Sequence, residues 1–196
     1  MRLNLSIKES YLLPGVLLLS FLARCAFISG VEFPFFDEVV HVPTAHNYGE
    51  RGFLGVRTWY HPNFKYLVMH YSITIFGNNP VGWRLPWIIF GTASVYLLYL
   101  LSFKLLDSKR VAIVAAFLLA IDLLHISQSR VNPDETMTVF TSVAGLYLAL
   151  LYVNGFNPIY LLLAGLVLGI GLSVKWYAVF TIATVLMICA LSLRKT

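Results

Sequence analysis

Charge is what this sequence has least of. Of its 196 residues only 12% are Asp, Glu, Lys or Arg, about half of what a soluble domain carries. That scarcity excludes an ordinary water-soluble domain. The net charge of +5 does not point to nucleic acid, because the basic residues form no patch with interleaved aromatics. A glycine-rich phosphate loop is also missing, which argues against a nucleotide donor. Cysteine is nearly absent: Cys25 and Cys189 both lie inside apolar runs, predict no disulfide, and leave the redox compartment open. No clear small-residue cleavage site follows the first apolar run, and Arg24 interrupts that run. The basic N-terminus therefore heads a retained span rather than a signal peptide.

What is present is hydrocarbon. Hydrophobic residues make up 59% of the chain, and the mean hydropathy is +0.78. The expectation is an all-α, multi-pass integral membrane protein forming one domain over residues 1–196. Six spans are predicted, at about Tyr11–Ser29, Leu85–Leu106, Val111–Leu124, Thr136–Val153, Ile159–Val174 and Trp176–Leu193. The last two together are too long for one crossing, so a break is needed at Lys175. Residues 30–84 form a long first loop. In it, Glu38–Arg51 predicts a short helix closed by Gly52, and Pro62–Phe76 a second helix lying at the interface. Arg57, Trp59 and Tyr60 fit a headgroup belt, and Trp83 and Trp87 read as interface anchors.

Lys and Arg counts set an orientation. With the N-terminus inside, the cytoplasmic ends hold Arg2, Lys8, Lys104, Lys109, Arg110, Arg194 and Lys195 against Glu9 and Asp107. Both termini are then cytoplasmic. The membrane is the plasma membrane in a prokaryote or the endoplasmic reticulum in a eukaryote. Asp37, Glu38, His41, His61, Lys65, His125, Arg130, Asp134, Glu135 and Lys175 then share the non-cytoplasmic face.

A carboxylate beside an apolar surface has a raised pKa and can act as a general base. Arginine holds phosphate by a planar fork and lysine as a point charge. A base with a phosphate clamp at a membrane surface fits group transfer from a phosphate-linked lipid carrier to a hydroxyl.

The same residues carry a resemblance. Phe36-Asp37-Glu38 with His41 follows the first span. His61-Pro62-Asn63-Phe64 stands later in the first loop, where the related sequences have His-Pro-Pro-Leu. Arg84-Leu85-Pro86 opens the next span. Gln128-Ser129-Arg130 precedes Asp134 and Glu135, and Lys175-Trp176 opens a later span. In this order the motifs resemble the N-terminal part of the protein O-mannosyltransferase family, polytopic glycosyltransferases of the GT-C fold. The resemblance implies a sugar, mannose or similar, moved with inversion from a polyprenyl-phosphate donor to an acceptor hydroxyl of a protein, lipid or glycan. It implies Asp37 as base with Glu38 supporting it. It implies donor phosphate or sugar contacts from His61, Lys65, Arg130, Asp134, Glu135 and Lys175, with support from His41, Asp122 and Trp176. No cofactor is firmly implied.

Each residue also has a plainer reading. Asp37 and Glu38 could favour a helix macrodipole. His41 and His61 could bind a divalent metal with Asp37, though interfacial histidines are more often hydrogen-bonded structural groups. Arg130 could pair with Asp134 across a turn, Lys175 and Arg24 could snorkel to headgroups, and Asp122 could cap locally. Family enzymes usually carry more spans than six. A second reading is therefore a non-catalytic or half-enzyme subunit that needs a partner membrane chain. A transporter fits less well, because the ionisable residues gather at one face and no inverted repeat is apparent.

Overall fold

The structure is a computed structural model that describes residues 6–51, 63–131 and 133–193. Those residues form nine α-helices and no strand: α1 Ser6–Cys25, α2 Glu38–Arg51, α3 Phe64–Phe76, α4 Pro80–Leu106, α5 Lys109–Ile121, α6 Leu123–Val131, α7 Pro133–Gly155, α8 Pro158–Leu172 and α9 Val179–Leu193. A 3-10 turn, Trp176–Ala178, precedes α9. Two helices, α4 and α7, are long and apolar enough to cross a membrane alone. The pair α5 and α6, bent by 58°, makes a third candidate. The apolar stretches of α1, α8 and α9 are shorter. The protein is all-α and polytopic, with fewer full-length crossings by this measure than the six expected.

The helix ends follow from local chemistry. Helix α2 has the expected bounds. Helix α4 starts five residues earlier than Leu85, because Asn79 accepts from the Val81 and Gly82 amides and Pro80 occupies the first helical position. Asn157 and Pro158 start α8 in the same way. Ser108 caps α5. The third predicted span is broken at Asp122, whose extended backbone ends α5. Its Oδ1 accepts from the His125 amide at 2.6 Å, which starts α6 afresh. Helix α6 therefore occupies what read as a plain turn. The break at Lys175 stands, with extended backbone there between α8 and the 3-10 turn.

Helix α4 is the central element and packs on α1, α3, α5, α6 and α7. One core cluster joins α2, α3, α4 and α7 through Val42, Met69, Trp83, Trp87 and Met137. Trp83 and Trp87 are thus core residues, 5% and 1% exposed, and not interface anchors. A second cluster, Val16, Val95, Ala116 and Ala120, joins α1, α4 and α5. A third, Ala149, Leu168, Val185 and Cys189, joins α7, α8 and α9. Gly145 lets α7 and α8 approach, since a Cβ there would lie 2.7 Å from Leu168 Cγ. Leu18, Leu22, Ile89, Leu118, Leu162, Leu166 and Phe180 face outward, as lipid-exposed sides do.

Two arginines are folded into this bundle. Arg24 is fully buried and does not snorkel. It donates to the Ser20 hydroxyl at 2.6 Å and to His125 Nδ1 at 2.6 Å. Gly91 leaves room for it, because an added Cβ would sit 3.0 Å from Arg24 Nε. Arg84 is 3% exposed. Its Nε and Nη2 grip both oxygens of Glu38 at 2.8 Å. Its Nη1 donates to the carbonyls of Ile28 and Val31 at 2.6 and 2.9 Å. The first loop is thereby tied to α2 and α4.

Breaking a buried, hydrogen-bonded pair from one side leaves an uncompensated charge. Arg84→Ala is expected to lower unfolding stability in detergent by about 3–5 kcal/mol. The pair replacement Glu38→Gln with Arg84→Met is expected to lose less than the single variant. Equal losses would deny the pairing.

Candidate active site

The site grows from the turn that launches α2. Phe36 holds a left-handed φ of 56°, an unfavoured state for a bulky residue. Asp37 follows it, and its carbonyl accepts from the Val40 and His41 amides, both at 3.0 Å. Glu38 Oε2 accepts from the Phe35 amide at 3.0 Å. The adjacent acids are therefore split by environment. Glu38 is 1% exposed and held by Arg84, while Asp37 is half-buried.

Asp37 meets residues from three other parts of the chain. Burial pushes its carboxyl above the ordinary aspartate range. The charges of Asp134 and Glu135 push the same way, whereas Lys65 and Lys175 oppose them. Lys65, on α3, is 1% exposed and donates to Asp134 Oδ2 at 2.6 Å. Burial lowers the Lys65 pKa, and Asp134 works against that shift. His41 Nε2 lies 4.0 Å from Asp134 Oδ1, and its ring meets Tyr66 edge-on at 5.6 Å. Lys175, after α8, donates to Glu135 Oε1, and the Tyr177 hydroxyl donates to Glu135 Oε2. Asp134 and Glu135 occupy the first turn of α7, where the macrodipole favours acids.

Other expected residues stand apart from this cluster. Arg130 does not reach Asp134 in any recorded ion pair among the described residues; its Nη2 donates to the Phe27 carbonyl at 3.2 Å. It lines a cavity of about 390 Å³ with Phe27, Val31, Phe35, Leu123 and Ile126. Arg84 is on the same wall, but its donors are committed to Glu38 and the loop. Asp122 caps α6 and lines a second cavity of about 260 Å³ that it shares with Glu135. Trp176 is exposed beside Lys175. His61 lies outside the described residues, as do Arg57, Trp59 and Tyr60. Among the described residues, no three His, Cys, Asp or Glu side chains group as metal ligands.

Arg84 and His125 acquire roles that spacing did not signal. Arg84 was visible only as part of Arg-Leu-Pro; its partner Glu38 is 46 residues away. The partner of His125 is Arg24, 101 residues away.

Known proteins place the chain in a family. The profile of the dolichyl-phosphate-mannose-protein mannosyltransferase family matches residues 16–196. A relative from Corynebacterium glutamicum, a polyprenol-phosphate-mannose–protein mannosyltransferase, is 28% identical over 190 residues of alignment. The alignment covers 76% of this chain and 35% of the relative, so the chain spans about a third of the length of that curated relative. No solved structure matches. With the family profile matching nearly end to end, over the segments that carry the acid pair, the lysines and Arg130, the chain belongs to the dolichyl-phosphate-mannose-protein mannosyltransferase family.

Proposed function

We propose that the chain transfers a mannosyl group from a polyprenyl-phosphate donor to an acceptor hydroxyl on the non-cytoplasmic face, with inversion at the anomeric carbon. The observation that carries this reading is Asp37, an acid with raised proton affinity among two lysines. It stands two residues from Phe35, which lines an apolar cavity that also bears Arg130. The bacterial relative, named as a polyprenol-phosphate-mannose–protein mannosyltransferase, supports this donor and a protein acceptor.

In this mechanism Asp37 removes the proton of the acceptor hydroxyl as its oxygen attacks the anomeric carbon. The carbon–oxygen bond to phosphate breaks, and the lipid phosphate leaves with the electron pair. Arg130 holds that phosphate, and the fixed charges of Lys65 and Lys175 offset charge developing beside it. The apolar wall of the cavity accommodates the first isoprene units of the lipid. Glu38 supports Asp37 indirectly, by anchoring the turn to Arg84. His41 and Asp134 hold Lys65 in place, Glu135 holds Lys175, and Trp176 offers an aromatic face at the rim. His61 is assigned to the donor by the motif alone. The whole of residues 1–196 acts as one domain.

Two results are expected with the full chain in lipid nanodiscs, polyprenyl-phosphate mannose and a hydroxyl-bearing peptide. Asp37→Asn should lower the transfer rate by about 10²- to 10⁴-fold, and unchanged transfer would remove Asp37 as the base. The active form is the carboxylate, so activity should fall as pH drops through the raised Asp37 pKa. The acid limb of the pH–rate profile should then lie above the about 3.9 of free aspartate. Separately, Arg130→Ala should weaken binding of sugar-free polyprenyl phosphate by about ten- to a hundredfold. Arg130→Lys should recover part of that loss, since lysine keeps the charge without the fork.

A further inference from the structure

Helix α6 has two working faces. Leu123, Ile126, Ser127 and Arg130 line the apolar cavity assigned above to the lipid phosphate. His125 and Gln128 face the other way, into the cavity of about 260 Å³ closed by Asp122, Glu135 and Thr136. This second cavity has no role in the mechanism so far.

Its polar groups are unusual. A guanidinium can only donate, so the 2.6 Å contact from Arg24 makes His125 Nδ1 the acceptor. The imidazole proton then resides on Nε2. His125 is 8% exposed, and its Nε2 has no hydrogen-bond partner among the described residues. The Gln128 Oε1 atom on the same wall is likewise buried and without a partner. Buried polar atoms are nearly always satisfied, so two such orphans on the wall of one cavity call for a hydrogen-bonding partner, water or ligand, within it. The pair offers one neutral donor and one neutral acceptor. The Asp122 and Glu135 carboxylates on the wall repel a phosphate. The outward Nε2–H of His125 repels a cation and cannot ligate a metal. A hydroxyl group satisfies both orphans, accepting from His125 and donating to Gln128. The volume is below that of a drug-sized site and suits a small group.

We propose that this cavity binds a neutral hydroxyl-bearing group of one substrate, with His125 and Gln128 as its hydrogen-bonding partners. The group is either the sugar of the lipid donor or the acceptor's hydroxyl. The assignment rests on the transferase reading. Arg24 is a positioning residue that fixes the His125 tautomer from below.

Binding to the full chain in nanodiscs separates the possibilities. The probes are polyprenyl-phosphate mannose, sugar-free polyprenyl phosphate, and a serine/threonine peptide beside its alanine counterpart. The main variant is Gln128→Leu, which leaves the Arg24–His125 contact intact; His125→Asn is the second. If the sugar is the ligand, each variant should bind the mannosylated lipid about tenfold more weakly, with sugar-free lipid unchanged. If the acceptor is the ligand, the hydroxyl peptide should lose its advantage over the alanine peptide while both lipids bind as before. The proposal is overturned if neither variant changes any of these affinities, which would mean the cavity holds water only. It is overturned equally if the wild-type protein prefers neither the mannosylated lipid nor the hydroxyl peptide. Failure of the transferase reading would show differently, as sugar-free lipid binding that is indifferent to Arg130→Ala.

Discussion

The grip of Arg84 on Glu38 is the constraint on which the rest of the site depends. Residues 26–37 have no regular structure of their own beyond turns, yet they must present Asp37 reproducibly. Four donated hydrogen bonds from one guanidinium fix the loop carbonyls, the first turn of α2 and the inner face of α4 to one another. Planar, bidentate pairing confers orientation as well as energy. An acid next to such an anchor can remain half-exposed and still be precisely aimed. The same anchor lets the backbone tolerate the left-handed Phe36, whose strain is of order 1–3 kcal/mol.

Around Asp37 the charges are arranged as alternating partners. Asp134 is bonded to Lys65 and Glu135 to Lys175, so each acid at the start of α7 is answered by a lysine from a different element. Asp37 has no such private partner in the recorded ion pairs among the described residues. It experiences both lysines and both acids at longer range. That leaves its proton affinity governed chiefly by burial, which suits the base role proposed for it.

Much of this was readable beforehand, for definite reasons. Helix α2 was legible because Glu38 opens it, with Gly52, outside the described residues, next in sequence after Arg51; the break at Lys175 was legible because one helix cannot span so many residues. The order of the spans predicts that Asp37, Lys65, Asp134, Glu135 and Lys175 gather, and their side chains do act on one another. Other features were not legible. Trp83 and Trp87 look like interface residues in sequence, but both are buried in the cluster that joins α2, α3, α4 and α7. Arg24 reads as snorkelling until the vacancy at Gly91 and the acceptor on His125 are seen together. Helix α6 was hidden because Asp122 both ends one helix and caps the next, leaving no glycine or proline to mark the boundary. Arg130 lies four residues before Asp134 in sequence, but Arg130 lines the first cavity while Asp134 pairs with Lys65.

The break at Asp122 also sets the kind of sequence change that this region can absorb. Because α6 starts from its own cap, its rotation about its axis is fixed by residue count from Asp122 rather than by α5. One inserted or deleted residue turns everything beyond it by about 100°. Arg130 would leave the first cavity and Gln128 the second in the same event. Point substitutions alter one chamber at a time, whereas a change of length scrambles both. The nine residues Leu123–Val131 therefore behave as a fixed-length ruler between the two cavities.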